Sequence, residues 1–270
     1  MDHKKSFENA GAVLLARSGV CSVWQFRSET GEGTMTAYEV FPGVMLSFND
    51  FHMERFASSY VTDRRVLAVD HCREGRMEYA VGGGMVGYTA AGDMKLDLRA
   101  RHTGDFIFPS CHYHGLTVAF DLDTAAQSLP QEVKDFPVTP EALISRWSLG
   151  PYPRVIHGAQ MPERIFGELY RVPEKIRIPY FKVKILELLL CLDAMSVPEG
   201  GASRPYFYKT QVEKIKALRD FLAEHAAESF PQEALSRRFD ISMTQMKSCF
   251  RAVYGASDCQ KSQVCHCEAP

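Results

Sequence analysis

Apolar and polar residues alternate in short runs through the first half of the chain. The runs VLAVDHC (66–72), MVGYTAAGDMKLDL (85–98) and LTVAFDL (116–122) are rich in β-branched and aromatic residues and are separated by Gly and Asp, which predicts strands. GGG at 82–84 and AAGD at 90–93 predict turns, and Arg73-Glu74-Gly75-Arg76-Met77-Glu78 predicts a hairpin turn with charged flanks. Short strands at regular spacing predict a barrel or a sandwich. The period changes after Pro137. Thr139 followed by Pro140 predicts a helix start leading into EALISRW. A second helix is predicted after Met161-Pro162, through ERIFGELYRV, and a third from Pro179 to Met195. In the third, Phe181, Val183, Ile185, Leu186, Leu188, Leu189, Leu190 and Leu192 cover more than one face. That predicts burial on two sides, in an internal helical layer or in a subunit interface. Lys182, Lys184, Glu187 and Asp193 make the same helix unfit for a bilayer.

VPEGGASRP (197–205) reads as a linker. Beyond it TQVEKIKALRDFLAEH predicts an amphipathic helix with Val212, Ile215, Leu218 and Leu222 on one side. PQEALSRRF (231–239) predicts a short helix burying Leu235 and Phe239, and Asp240-Ile241 a turn. In FDISMTQMKSCFR (239–251), Ser242 and Gln245 have the spacing of a capping box. Met246, Phe250 and Val253 recur at helical spacing and point inward, which leaves Thr244, Gln245, Lys247, Ser248 and Arg251 outside. Helix, tight turn and capped helix with a polar outer face is the geometry of a helix-turn-helix, whose second helix enters the major groove. There Lys247 suits guanine acceptors, Thr244 and Ser248 short base contacts, and Gln245 and Arg251 phosphates. A solvated helix face in an all-α domain has the same periodicity and stays open at this point.

Composition changes the picture little. With 270 residues, 46% hydrophobic, 24% charged and a net charge of −2, the chain has the make-up of a globular protein. No apolar run reaches the ~20 residues of a membrane helix, and MDHKKSFENAGAVLLARSG lacks the apolar core of a signal peptide. Eight irregularly spaced cysteines then predict reduced thiols and a cytoplasmic location. From Arg204 onward there are ten Lys/Arg against eight Asp/Glu, and before it 21 against 25. A positive end on an acidic body is compatible with nucleic acid without establishing it.

The run F-D-I-S-x-x-x-M-x-x-x-F-R-x-x-Y-G (239–255) resembles the first helix-turn-helix of the AraC/XylS family of bacterial transcription regulators. Leu235-Ser236 stands at that family's Leu-Ala pair, and YFKVKILELLLCL and YFYKTQVEKIKALRDFL resemble the stretches that join its sensor and DNA-binding halves. The β-rich half is similar in general character to the family's cupin-like sensor domains. Asp240 stands where Gly is usual in the turn, and tolerates a left-handed conformation better than most residues. The family carries a second helix-turn-helix after a connecting helix. Here Tyr254-Gly255 is followed by ASDCQKSQVCHCEAP, with no apolar period. The expectation is a unit ending after its first helix-turn-helix, with DNA binding weakened because roughly half of the family's phosphate and base contacts are missing.

The polar cluster Cys111-His112-Tyr113-His114 predicts chemistry in the first half. On a strand His112 and His114 share a face with Leu116, Val118 and Phe120, and are expected to point into the β-domain, where Tyr79 joins them as effector pocket. Hydrogen-bonded structural histidines are the alternative. An H-x-H pair completed by His52 or His71 is the third reading, a cupin-type metalloenzyme, but the longer spacing of such enzymes is missing. Cys259, Cys265, His266 and Cys267 lack the supporting shell of a zinc site. No G-x-S-x-G, G-x-G-x-x-G, phosphate loop or H-E-x-x-H occurs, so no catalytic residue, metal or cofactor is expected.

The expected fold is α+β: a cupin-like β-barrel for effector binding (1–137), a helical dimerisation and connector segment (138–196), a linker (197–205), an incomplete helix-turn-helix unit (206–257) and an atypical tail (258–270). The expected function is an effector-responsive, homodimeric, DNA-binding regulator that is not an enzyme and has no membrane partner. The main alternative is a truncated, non-DNA-binding protein that dimerises and sequesters partners.

Overall fold

The computed structural model describes residues 7–8, 11–133, 135–197, 206–226 and 228–255. The chain runs β1 (Val13–Ser18), β2 (Cys21–Ser28), β3 (Gly31–Phe41), β4 (Val44–His52), β5 (Arg55–Gly82), β6 (Met85–Ala90), β7 (Met94–Ile107) and β8 (Tyr113–Asp121). Then follow α1 (Leu122–Glu132), α2 (Pro140–Arg146), β9 (Arg154–Ile156), α3 (Gln160–Leu169), α4 (Arg177–Ala194), β10 (Phe207–Tyr208), α5 (Lys209–Glu224), α6 (Gln232–Arg238) and α7 (Met243–Tyr254). The sheet order is β1-β2-β3-β4-β8-β5-β6-β10, with β7 on β5 and β9 on β7. Each of these pairings is antiparallel. The chain is therefore α+β, with the expected turns at 82–84 and 90–93 in place.

Strand β5 is 28 residues long, several times the usual length. It serves three partners: β7 pairs within Arg55–His71, β8 within Val66–Gly75, and the last quarter, Arg76–Gly82, pairs with β6. The hairpin turn expected over residues 73–78 is corrected, because those residues run through β5 into its pairing with β6. What the charged stretch supplies instead is a bulge between Cys72 and Glu74. The stretch expected to be β-rich also turns helical early. The Asp121 carboxylate accepts from the Thr124 N–H at 3.0 Å and caps α1, which buries Leu122, Ala125 and Leu129. Thr139 caps α2 as expected, accepting from the Ala142 N–H at 3.2 Å.

Alternation along the strands builds two cores. Val44, Leu46, Leu116, Val118 and Phe120 pack with Leu129, Trp147, Phe166, Phe181 and Leu188 of the helical layer. Met45, Tyr113 and Ala119, of opposite parity, join Trp24, Phe26, Met35 and Phe56. Buried Asp70 accepts from Thr117 at 2.6 Å and pairs with Lys95 at 3.1 Å and Arg99 at 2.5 Å. Burial alone would raise the Asp70 carboxyl, but Arg99 and Lys95 hold it well below the carboxylate range.

Burial of α4 on two sides is corrected within the chain. Phe181, Ile185, Leu188, Leu189 and Leu192 are buried, whereas Val183 is 60% and Leu190 43% exposed. Lys184 is buried and satisfied by Glu168 and Glu187. A third core unites α5, α6 and α7 with Val86 and Tyr88 of β6. Strand β10 pairs with β6, Phe207 opposite Val86. No helix among the described residues is long and apolar enough to cross a membrane. Cys21, Cys72, Cys191 and Cys249 are free thiols, whereas Cys111 is disulfide-bonded, which corrects the expectation of reduced thiols at that position. The tail 258–270, and the linker apart from Val197, lie outside the described residues.

Candidate nucleic-acid interface and histidine cluster

Helices α6 and α7 are joined by a four-residue turn, residues 239–242, closed on both sides. The Ile241 N–H donates to the Ser236 carbonyl at 3.1 Å, and the Ser236 hydroxyl donates to the Ile241 carbonyl at 2.7 Å. Asp240 has φ +47°, and Lys214 on α5 holds it in that conformation with hydrogen bonds to its carboxylate at 2.8 Å and its carbonyl at 2.5 Å. The Lys214 hydrogen bond also keeps the Asp240 carboxyl below its ordinary range. Ser242 caps α7, accepting from the Gln245 N–H at 3.3 Å. The reciprocal half of the expected capping box is replaced, because the Gln245 Oε1 accepts from the Ser242 hydroxyl at 3.0 Å.

Met246, Cys249, Phe250, Ala252 and Val253 are buried in the third core. Burial pushes the Cys249 thiol up to about 12. On the opposite face Thr244, Gln245, Lys247, Ser248 and Arg251 are all exposed. Among the described residues no carboxylate pairs with Lys247 or Arg251. Phe239, expected to be buried, is half-buried. At its C-terminus α7 meets the β-rich half: the Arg76 guanidinium of β5 donates to the Ala252 carbonyl at 2.8 Å, and a cation suits that end of a helix.

The second constellation lies at one end of the sheet. Register places Asp50 of β4 opposite His114 of β8. Because of the Cys72/Glu74 bulge, Glu74 of β5 stands opposite His114 on its other side. Without the extra residue Glu74 would keep the parity of Cys72 and face the second core. Gly75, at φ +81°, allows the close approach, since a Cβ there would collide with the His112 carbonyl. His52 and His112 lie one step further along, their Nδ1 atoms 3.5 Å apart. Nitrogen atoms of His52, His112 and His114 all fall within 4.8 Å of one another. His52 pairs with Asp50 at 2.8 Å, His114 with Asp50, and His112 with Glu74 at 3.6 Å. Desolvation, then the neighbouring His114 and His52, lower the His112 pKa from its usual value.

The shared parity of His112 and His114 with Leu116, Val118 and Phe120 holds, but that face looks toward the helical layer rather than into the sheet's second core. Tyr79 is not part of the cluster. It sits on the segment of β5 paired with β6, its ring lying against Gly87. His71 is elsewhere too, stacked on Phe166 with centroids 4.6 Å apart and buried, which lowers its pKa to about 4. His52 was legible only as an alternative third partner, and the acidic pair Asp50 and Glu74 was missed. Nothing in local spacing announces a register or a bulge. An open cleft of about 420 Å³ lies at the α3–α4 junction, lined by Arg164, Glu168, Arg171 and Tyr180 among others, and includes none of the expected pocket residues.

No protein-family model matches the chain, and no curated protein matches it. Among solved structures it is similar to apo ToxT from Vibrio cholerae, at 8% identity over 79% of this chain and 94% of that one, with a TM-score of 0.36. It is also similar to EutQ from Clostridium difficile, at 12% identity over 36% and 70% with a TM-score of 0.25. Procruciferin, an 11S globulin from Brassica napus, matches at 10% identity over 93% and 50%, with a TM-score of 0.28. Likenesses this distant carry no weight for function.

Proposed function

We propose that the chain is a ligand-responsive, DNA-binding transcription regulator of the AraC type, not an enzyme, acting in the cytoplasm as a homodimer. The observation that carries the reading is α7: its inner face is locked into a core, while Thr244, Gln245, Lys247, Ser248 and Arg251 are exposed on the outside, and no carboxylate among the described residues pairs with either cation. That is what a helix entering a groove requires. The residue pattern over 239–255 supports the same reading.

In this account the β-rich half receives the ligand at the end of the sheet carrying His112 and His114. The junction of β6 with β10, α5 and α7, pinned by Arg76, passes the change to the helix-turn-helix. Pro179, Val183 and Leu190, spaced by one and two further helical turns along the exposed side of α4, supply the dimer contact. A dimer brings two α7 helices to one duplex. The one bihelical unit among the described residues gives few phosphate contacts, so its affinity is expected to be weak, on the order of micromolar at low salt.

Selection from a randomised duplex pool with the full chain at about 50 mM salt tests the reading. Enrichment of one motif is expected, and recovery of unselected sequence contradicts it. The exposed α4 seam favours a second reading, a dimerising protein that binds no DNA and sequesters partners. Dimerisation without any DNA retention would select it.

A further inference from the structure

The histidine cluster deepens the reading of this end of the sheet as the ligand site. We propose that His52, His112 and His114, backed by Asp50 and Glu74, bind a divalent first-row transition-metal ion, zinc fitting best. Three imidazoles converge from β4, from β8 and from the residue just before β8, with nitrogens within 4.8 Å of one another. The 3.5 Å between the Nδ1 atoms of His52 and His112 is close to the ~3.3 Å separating two nitrogens that each lie about 2.0–2.1 Å from a tetrahedral zinc. Two imidazoles facing each other through the same atom gain one hydrogen bond at most, whereas a cation between them satisfies both lone pairs.

The far sides of the rings are already occupied as a metal site requires. His52 Nε2 lies 2.8 Å from Asp50, and His112 Nε2 lies 3.6 Å from Glu74, so carboxylates fix ring orientation and leave Nδ1 for the ion. His114 lies between both carboxylates and joins by releasing one of them. Two carboxylates offset by one nearby cation, Arg73 at 3.5 Å from Glu74, leave the cluster negative with neutral imidazoles. Imidazole with carboxylate suits zinc and its neighbours rather than magnesium or calcium. His114 adjoins Leu116 and Phe48, which packs on Tyr170 and Phe181 of the helical layer. An ion here therefore braces β4, β5 and β8 where they meet α3 and α4.

The test uses the full chain with its accessible free thiols alkylated under non-reducing conditions, so that the Cys111 disulfide stays closed and the ions counted are not held by those thiols. After chelation and dialysis, zinc is titrated by calorimetry and cobalt(II) by visible absorption. One ion per chain, a cobalt spectrum of a nitrogen–oxygen site of low coordination number, and a zinc-dependent rise in the thermal midpoint are expected. Asp50→Asn should weaken binding about 10- to 100-fold, and His112→Ala or His114→Ala by more. Circular dichroism confirms that the variants fold. Absence of saturable binding, or binding unchanged in H52A/H112A/H114A, overturns the proposal. Because only binding is read, that failure would leave the DNA-binding reading standing.

Discussion

Helix α4 and helix α7 each bury one face in a core of the chain, yet they leave different surfaces outside. On α4 the outer side carries Val183 and Leu190, 60% and 43% exposed. On α7 it carries Thr244, Gln245, Lys247, Ser248 and Arg251. An apolar stripe loses free energy in water and suits another apolar stripe, whereas unpaired cations among hydroxyls and amides suit a polyanion. The inner faces hold the fold, and in the function proposed above the outer faces distinguish the partners: a second copy for α4, a duplex for α7.

Removing the inner anchors should break both halves of this comparison equally. Phe181→Ala and Phe250→Ala each empty a fully buried site and are expected to lower stability by about 3–5 kcal/mol. Urea melts read the loss, and an unaffected melt for either variant would show that its helix is not anchored as described.

Acid should separate the two regions. Burial first, and Arg73 to a lesser degree, depress His71 to about 4, against the helical layer at Phe166. Below its unfolded pKa of about 6.5 the unfolded chain binds a proton that the folded one refuses, so stability falls from pH 6.5 toward pH 4, by up to about 3 kcal/mol. Hydrogen exchange should show the α3–α4 layer loosening first, and His71→Phe should flatten the pH dependence.

Val183→Glu with Leu190→Glu should raise the dimer dissociation constant by about 2–3 kcal/mol, roughly 30- to 150-fold, measured by sedimentation. The monomer's melt should stay unchanged, because neither side chain belongs to a core. Smallest is Arg76→Ala, expected to loosen the C-terminal unit from β6 by about 1–2 kcal/mol through removal of the bond to Ala252. Exchange at the β6–β10 pair reads it.

Much of α7 was legible because a capped helix shows a 3.6-residue period that tertiary contacts do not alter. Met246, Phe250 and Val253 lie inside as their spacing requires. Parity along β8 was equally legible for His112 and His114, but parity names only a shared face, and long-range packing decides what that face meets. The Cys72/Glu74 bulge depends on pairing with β8, so neither Glu74's turn toward His114 nor the unbroken run of β5 could be read locally. Helix α1 was hidden behind its own cap, since Asp121-Leu122 continues the apolar alternation of β8 for two residues.

The outer face of α7 is where the proposed binding to DNA is most directly tested. Fluorescence anisotropy of a labelled mixed-sequence duplex at about 50 mM salt should show binding by the full chain, with log affinity falling linearly against log salt. Lys247→Ala with Arg251→Ala should weaken it by about 1–3 kcal/mol per cation that touches DNA and flatten the salt slope by about one unit for each phosphate no longer neutralised. Equal affinity and equal slope in the two proteins, both folded, would contradict the assignment of this helix to DNA.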